Sequence, residues 1–293
     1  MYKMSNKEAF MSVKIIADST CDLPKELLDK YDIAILPLHI VLGETEYKDG
    51  SEISPDEIYA WSDTNKEAPK TSAASIADAM NLYETYIKEY DEIVCFSISG
   101  QMSTTVNVMR MAAEELDAED KIHIIDSENL STGGGLLVIE AAIMAKEGKT
   151  GKEIVEVIDI LKPQVRASFI VDTLTFLHRG GRCSGVAALA GGALKLHPKI
   201  VVENGAMKPD KKYRGKMNSA ILSYVKDLEP QIKNAKTDRV FITHSGCDKE
   251  LLDQVYQYVK DLGLFEEILF SRAGGVISSH CGPGTLGVLF IEK

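Results

Sequence analysis

Apolar residues in the first half of this chain alternate between two rhythms. Ile93, Val94, Phe96 and Ile98 form a short run of strand type, and Ser99 and Gly100 interrupt it. From Gln101 the spacing turns helical, with Met102, Val106, Met109, Ala113 and Leu116 on one face. The same alternation begins at Val13 to Ala17, a buried-type strand. A helix is predicted over Leu23 to Tyr31, with Asp22 as its cap and Pro24 in its first turn. Ile33 to Leu42 reads as one strand that Pro37 confines to an edge or a bulge. Residues 43–50 predict a hairpin tip, and Ser54-Pro55 opens another helix. After Pro69, Ser72 or Ser75 caps a helix with Ile76, Met80, Tyr83 and Ile87 on one side. Residues 121–127 form a strand ending in Asp126-Ser127, as the first strand ends in Asp18-Ser19. A helix entered through Gly133 to Gly135 follows, then another over residues 150–163. Alternating β and α segments imply a mostly parallel sheet.

Past Pro163 the rhythm changes. Residues 166–173 predict a strand, and 174–195 a helical pattern broken by paired glycines. Residues 198–215 predict a hairpin turning at Asn204-Gly205. Helices are expected over 216–233 and 249–262, with a strand over 238–244 between them. The expected fold class is α/β in two domains. The N-terminal α/β domain, residues 13–165, has a mostly parallel sheet flanked by helices; the C-terminal domain, residues 166–293, is mixed α+β.

A net charge of −11 narrows the function classes. The segment Lys208 to Lys216 is the only dense basic stretch, so no nucleic-acid partner is expected. Cys21, Cys95, Cys183, Cys247 and Cys281 are widely spaced, odd in number and without a CxxC pair. Reduced thiols in a cytoplasm are the simplest account, and neither a disulfide framework nor a zinc site is expected. The first twelve residues, read as a loose lead-in, have no secretory-type apolar core. No run approaches the ~18 apolar residues of a membrane span, which leaves at most transient contact with a membrane surface.

Familiar catalytic patterns are missing. Gly180 to Gly185 lacks the Lys-Ser/Thr of a phosphate loop, no GxGxxG follows the first strand, and Ser99 lies in SISGQ, not GxSxG. Histidines at 39, 123, 178, 197, 244 and 280 show no HExxH spacing. Three segments still carry candidate chemistry: Thr71-Ser72, Ser97 to Ser99, and His280. Two hydroxyl donors, an imidazole and the N-terminus of the helix after Gly100 can converge on one carboxylate or phosphate. The alternatives are local: Ser103 or a neighbour capping that helix, and His280 satisfied within a Gly-Pro turn.

The ordered set IIADSTCDLP, PKTSAAS, SISGQMSTTVN, IIDS with its glycine-entered helix, FIVDTLTFLHRGGRCS, GALKLHPKI and SSHCGPGTLGV resembles the DegV family of fatty-acid-binding proteins. The family includes carrier subunits of bacterial fatty acid kinases, and the resemblance runs from Val13 to Lys293. It implies two α/β domains with a lipid-filled tunnel between them. It also implies a long-chain fatty acid ligand of the palmitate or oleate kind, no cofactor and no metal. By resemblance the carboxylate ligands fall on Thr71, Ser99 and His280, with Ser72 and Gly100 beside them. A partner fatty acid kinase would phosphorylate the bound acid, the chain itself catalysing nothing, and Arg214 is the candidate kinase contact. Arg182 is read as organising the glycine-rich turn. The chain departs from the family pattern at Ala73-Ala74, where Gln-Pro is usual, at Ile98, usually Leu, and at Gln101-Met102, usually Thr-Tyr.

Tunnel-wall candidates are Met80, Met102, Met109 and Phe169. Two competing functions stay open. One is a serine hydrolase using Ser99 and His280 with an aspartate such as Asp18. The other is a binder of a phosphorylated small molecule at the same helix terminus.

Overall fold

The computed structural model describes residues 11–183 and 196–293. From β1 (Val13–Asp18) the chain passes through a 3-10 turn at Ser19–Cys21 and α1 (Lys25–Tyr31) to β2 (Ile33–Leu36), parallel to β1. Pro37 ends the run, and β3 (His39–Leu42) pairs antiparallel with β4 (Thr45–Lys48). The single strand expected over 33–42 is therefore two strands in different sheets. Proline has no N–H for a continuing ladder, so the chain leaves the parallel sheet there.

Next come α2 (Pro55–Asn65), β5 (Lys70–Ser72) and α3 (Ile76–Tyr86). The helix cap of α3 is Ser75, which accepts from Asp78 N at 3.0 Å. Ser72 belongs instead to β5, an unexpected strand that Thr71 joins to β3 opposite Ile40. Lys-Thr-Ser has no strand pattern of its own; its partner strand imposes the extended form. Then follow β6 (Glu92–Ser97), α4 (Thr105–Glu115), β7 (Ile122–Asp126), α5 (Ser131–Lys146) and α6 (Gly151–Leu161). The parallel sheet runs β2-β1-β6-β7, with β2 at an edge as Pro37 requires.

Strands β4-β3-β5 form a small sheet of their own, and a larger mixed sheet uses strands after residue 164. Along the chain these parts are β8 (Val165–Arg166), β9 (Ser168–Ile170), α7 (Thr175–Gly180), β10 (Leu196–Glu203), β11 (Ala206–Arg214), α8 (Met217–Asp227), α9 (Glu229–Ile232), β12 (Arg239–His244), α10 (Lys249–Asp261), β13 (Glu267–Arg272), α11 (Gly275–Cys281) and β14 (Leu286–Ile291). The order is β11-β10-β9-β14-β12-β13, with β8 beside β14, and only β12 and β13 pair parallel. The helical reading of 174–195 holds for α7; residues 184–195 lie outside the described residues.

Helix α5 joins the parallel and mixed sheets. It is buried almost wholly from Ser131 to Ile139 and at Ala141 and Ala142, with Glu140 paired to Lys236 and Arg239. Such a helix must be covered on every side. It packs against Val13, Ile15 and Phe96 of the parallel sheet and against Phe241, Leu289 and Ile291 of the mixed sheet, in one core. Each fully buried Leu or Ile there contributes roughly 1.5–3 kcal/mol.

Asp22 does not cap α1. The N-cap is Pro24, without a side-chain bond, while Asp22 sits in the left-handed region at φ 51°. Its carboxylate accepts instead from Ser131 Oγ and from Gly274 N.

Candidate functional site

Between the two sheets lies a cavity of about 510 Å³. That size falls within the roughly 300–1,000 Å³ of small-molecule sites. Its apolar wall includes Ile98, Met102, Leu130, Phe169, Leu177 and Met207, all buried in one hydrophobic cluster. Of the four predicted wall residues, Met102 and Phe169 face it. Met109 and Met80 pack in or against a separate core under the parallel sheet. Exposed lining residues, Ser72, Gly100, Gln101, Thr104 and Arg182, mark the side open to solvent.

Two predicted residues meet in the lining. Thr71 on β5 and His280 in the last turn of α11 are joined by a hydrogen bond of 2.8 Å between Oγ1 and Nε2. The placement of His280 is built from two buried carboxylates. Asp22 accepts from Gly274 N and Asp49 from Gly275 N, each at 2.8 Å, which fixes the start of α11. Burial raises the pKa of both acids. At the other end of the helix the ring packs on Gly180, where a β-carbon would stand 2.3 Å from His280 Nδ1.

That packing decides the proton. His280 Nδ1 is buried without a partner. A buried N–H left unpaired costs more than an unpaired lone pair, so the proton belongs on Nε2. Nε2–H then donates to Thr71 Oγ1, and the Thr71 hydroxyl hydrogen is left for another acceptor in the cavity. Burial, helped by the Arg182 guanidinium, lowers the His280 pKa to about 4, so the ring is neutral at pH 7. Arg182 itself donates to Gly180 O at 2.6 Å, the turn-organising contact its position suggested, and also lines the cavity.

Ser99 is placed differently. It is fully buried, does not line the cavity, and donates its hydroxyl to Gly205 O at 2.7 Å. Gly205 is the tip of the β10–β11 hairpin, with φ +78°. A β-carbon there would stand 2.6 Å from Ser99 Oγ, so glycine is needed for both turn and contact. Gly100 lines the cavity, but its N–H donates to the Asp126 carboxylate at 3.1–3.2 Å. Ser103 Oγ accepts from Thr105 N at 3.2 Å, but the N-cap of α4 is Thr104, which makes no side-chain capping bond. The triad alternative is not assembled: Ser99 bonds Gly205, His280 bonds Thr71, and Asp18 accepts from Thr20 and Ile98 N. Ser72 lines the cavity and reaches Glu46 at 3.3 Å. Arg214 ends β11, exposed and away from the cavity lining.

His244 also lines the cavity, and sequence reasoning passed over it. The available signal was its place at the carboxyl end of a strand, where open α/β sheets hold ligands. Among the described residues no group of three or more His, Cys, Asp or Glu is placed to hold a metal, and no helix is long and apolar enough to cross a membrane.

A parallel lobe and a mixed lobe sharing one helix and enclosing an apolar compartment define an α/β protein built around an internal cavity. The chain belongs to the DegV family: that family's model, described as uncharacterised proteins, matches residues 12–293. A fatty acid-binding protein from Thermotoga maritima is 31% identical over 283 residues, covering 94% of this chain and 96% of the relative. A fatty acid-binding DegV family protein from Thermus thermophilus has the same fold, with a TM-score of 0.87 and 31% identity, over 97% of this chain and 100% of its own. A stearic acid-binding protein from Eubacterium ventriosum superposes at a TM-score of 0.82 with 30% identity, over 96% and 98%.

Proposed function

We propose that this chain binds a long-chain fatty acid in the cavity between its sheets and presents the carboxylate to a partner fatty acid kinase. The observation that carries this is an apolar compartment of about 510 Å³ whose lining holds a paired, uncharged Thr71 and His280. The relatives named above, fatty acid binders by description, support the same ligand class. Each methylene removed from water is worth roughly 0.8 kcal/mol, so the tail provides most of the affinity. The head needs only orientation. In this reading His280 donates to Thr71, and Thr71 donates to the carboxylate. Ser72, Gly100 and Arg182 flank the head, while Ser99 anchors the hairpin that closes over the strand end. Neutral donors leave the carboxylate its charge, which a phosphoryl-transferring partner requires. Arg214, exposed at the end of β11, is the proposed kinase contact. The chain acts as a carrier, and the transfer chemistry belongs to the partner.

Denaturing extraction of the purified protein followed by mass spectrometry tests the ligand. A saturated or monounsaturated long-chain acid at near one equivalent is expected. Lipid-free protein that also fails to bind palmitate and oleate contradicts the proposal.

A further inference from the structure

His244 closes β12 and faces the cavity. Its Nδ1 accepts from the backbone N–H groups of Gly246 and Cys247, both at 3.2 Å. A nitrogen that accepts carries no proton, so the neutral ring holds its proton on Nε2. Burial and the neighbouring Arg272 guanidinium keep the ring neutral, lowering its pKa to about 4. Nε2–H has no hydrogen-bond partner among the described residues.

The other polar groups on this side of the lining are committed elsewhere. Ser245 donates to Gly282 O, Thr243 bonds Thr132, and Ser131 bonds Asp22. His244 therefore differs from its neighbours in offering a donor with a fixed direction. It also lies away from the Thr71–His280 pair. Ala273 N donates to His244 O at 2.9 Å just before α11 begins, whereas His280 is in the last turn of that helix. Ala273 and His280 are seven residues apart, which is on the order of 10 Å at ~1.5 Å per residue.

Resting on the fatty-acid reading of the cavity, we infer that His244 is a second polar anchor and that the ligand it suits is a long-chain fatty acid carrying a mid-chain hydroxyl or keto oxygen. A saturated tail lays methylenes against Nε2–H, excludes its water and leaves the donor unpaired. A mid-chain oxygen accepts that proton and satisfies both partners. A site built to donate a hydrogen bond disfavours the analogue that lacks the acceptor.

Titration calorimetry with stearate, 10-hydroxystearate and 3-hydroxystearate tests this on the wild-type chain. The expected result is 10-hydroxystearate binding roughly 5- to 100-fold tighter than stearate, with no such gain for the 3-hydroxy acid. In His244→Leu the ratio of 10-hydroxystearate to stearate affinity should collapse or invert. Should that variant fail to fold, the positional comparison in the wild type decides alone. Stearate binding as tightly as 10-hydroxystearate, or a ratio that His244→Leu leaves unchanged, overturns the assignment while the carrier reading stands. If none of the three acids binds, the carrier reading fails and takes this inference with it.

Discussion

Replacing Gly180 by alanine tests the head-group arrangement without removing a polar atom. A β-carbon at this position would lie 2.3 Å from His280 Nδ1, 3.2 Å from Cε1 and 3.3 Å from Cγ. Non-bonded heavy atoms settle at roughly 3.5–4.0 Å, so the ring must retreat by about 1 Å. The methyl arrives head-on at Nδ1, so the displaced ring is driven toward its Nε2 side, and a Thr71–His280 bond already 2.8 Å long cannot absorb a shift of that size and keep its geometry. Thr71 then loses the donor that orients its own hydroxyl. One hydrogen bond to a charged group is worth about 1.5–3 kcal/mol, or ~10- to 150-fold in Kd. The tail should be unaffected. Across a laurate-to-stearate series, affinity should still rise about fourfold per methylene, the equivalent of roughly 0.8 kcal/mol. Displacement of a fluorescent fatty acid measures both quantities. Thr71→Val should show the same loss, and the double variant should be little worse than either single change, because both remove one interaction. Unchanged palmitate affinity in Gly180→Ala, or a loss that grows with chain length, refutes the arrangement.

Ser99→Ala removes the bond to the Gly205 carbonyl, so it should lower stability by about 1–3 kcal/mol in a denaturant titration while weakening palmitate less than Thr71→Val does; an equal loss of affinity would make Ser99 a direct ligand. Palmitate affinity should be flat between pH 8 and 6, since the His280 pKa is lowered to about 4 and no cation forms there in that range; a rise through pH 6.5 would mean an ordinary, chargeable imidazole. The same shift bears on stability: the unfolded chain takes up the proton first, so the contribution of neutral His280 is full above pH 6.5 and is lost as pH falls toward 4. Thermal scans should therefore show a smaller drop from pH 7.5 to 5 in His280→Asn than in the parent chain. Arg214→Glu should slow transfer by a fatty acid kinase while leaving palmitate binding alone; joint loss would mark a structural role. Because α5 lies in a core shared by both sheets, unfolding should be one cooperative transition, and two resolved transitions would show independent domains.

The strands and helices were legible where burial imposes a period. Val13 to Ala17 and Ile93 to Ile98 declare themselves because a parallel strand covered on both faces must be continuously apolar. The division of Ile33 to Leu42 was half legible: Pro37 announced an irregularity, but not that the chain would change sheets. Strand β5 was invisible, because Lys70–Ser72 is extended only by pairing with β3. The same limit governs the site. Thr71 and His280 were singled out by their motifs, yet their contact spans 209 residues of sequence. Ser99 looked like a free hydroxyl at a strand end, and local sequence cannot show that a hairpin tip 106 residues on supplies the carbonyl it bonds. Asp22 looked like a helix cap for the same reason, its partners Ser131 and Gly274 being remote.

The most direct test of the central claim is the carbon-13 spectrum of carboxyl-labelled palmitate bound to the protein. A single slow-exchange carboxylate resonance is predicted, distinct from free palmitate, constant between pH 6 and 8, and displaced in Thr71→Val. A bound resonance that Thr71→Val leaves in place, or no bound resonance at all, would contradict a carboxylate held by Thr71 and His280.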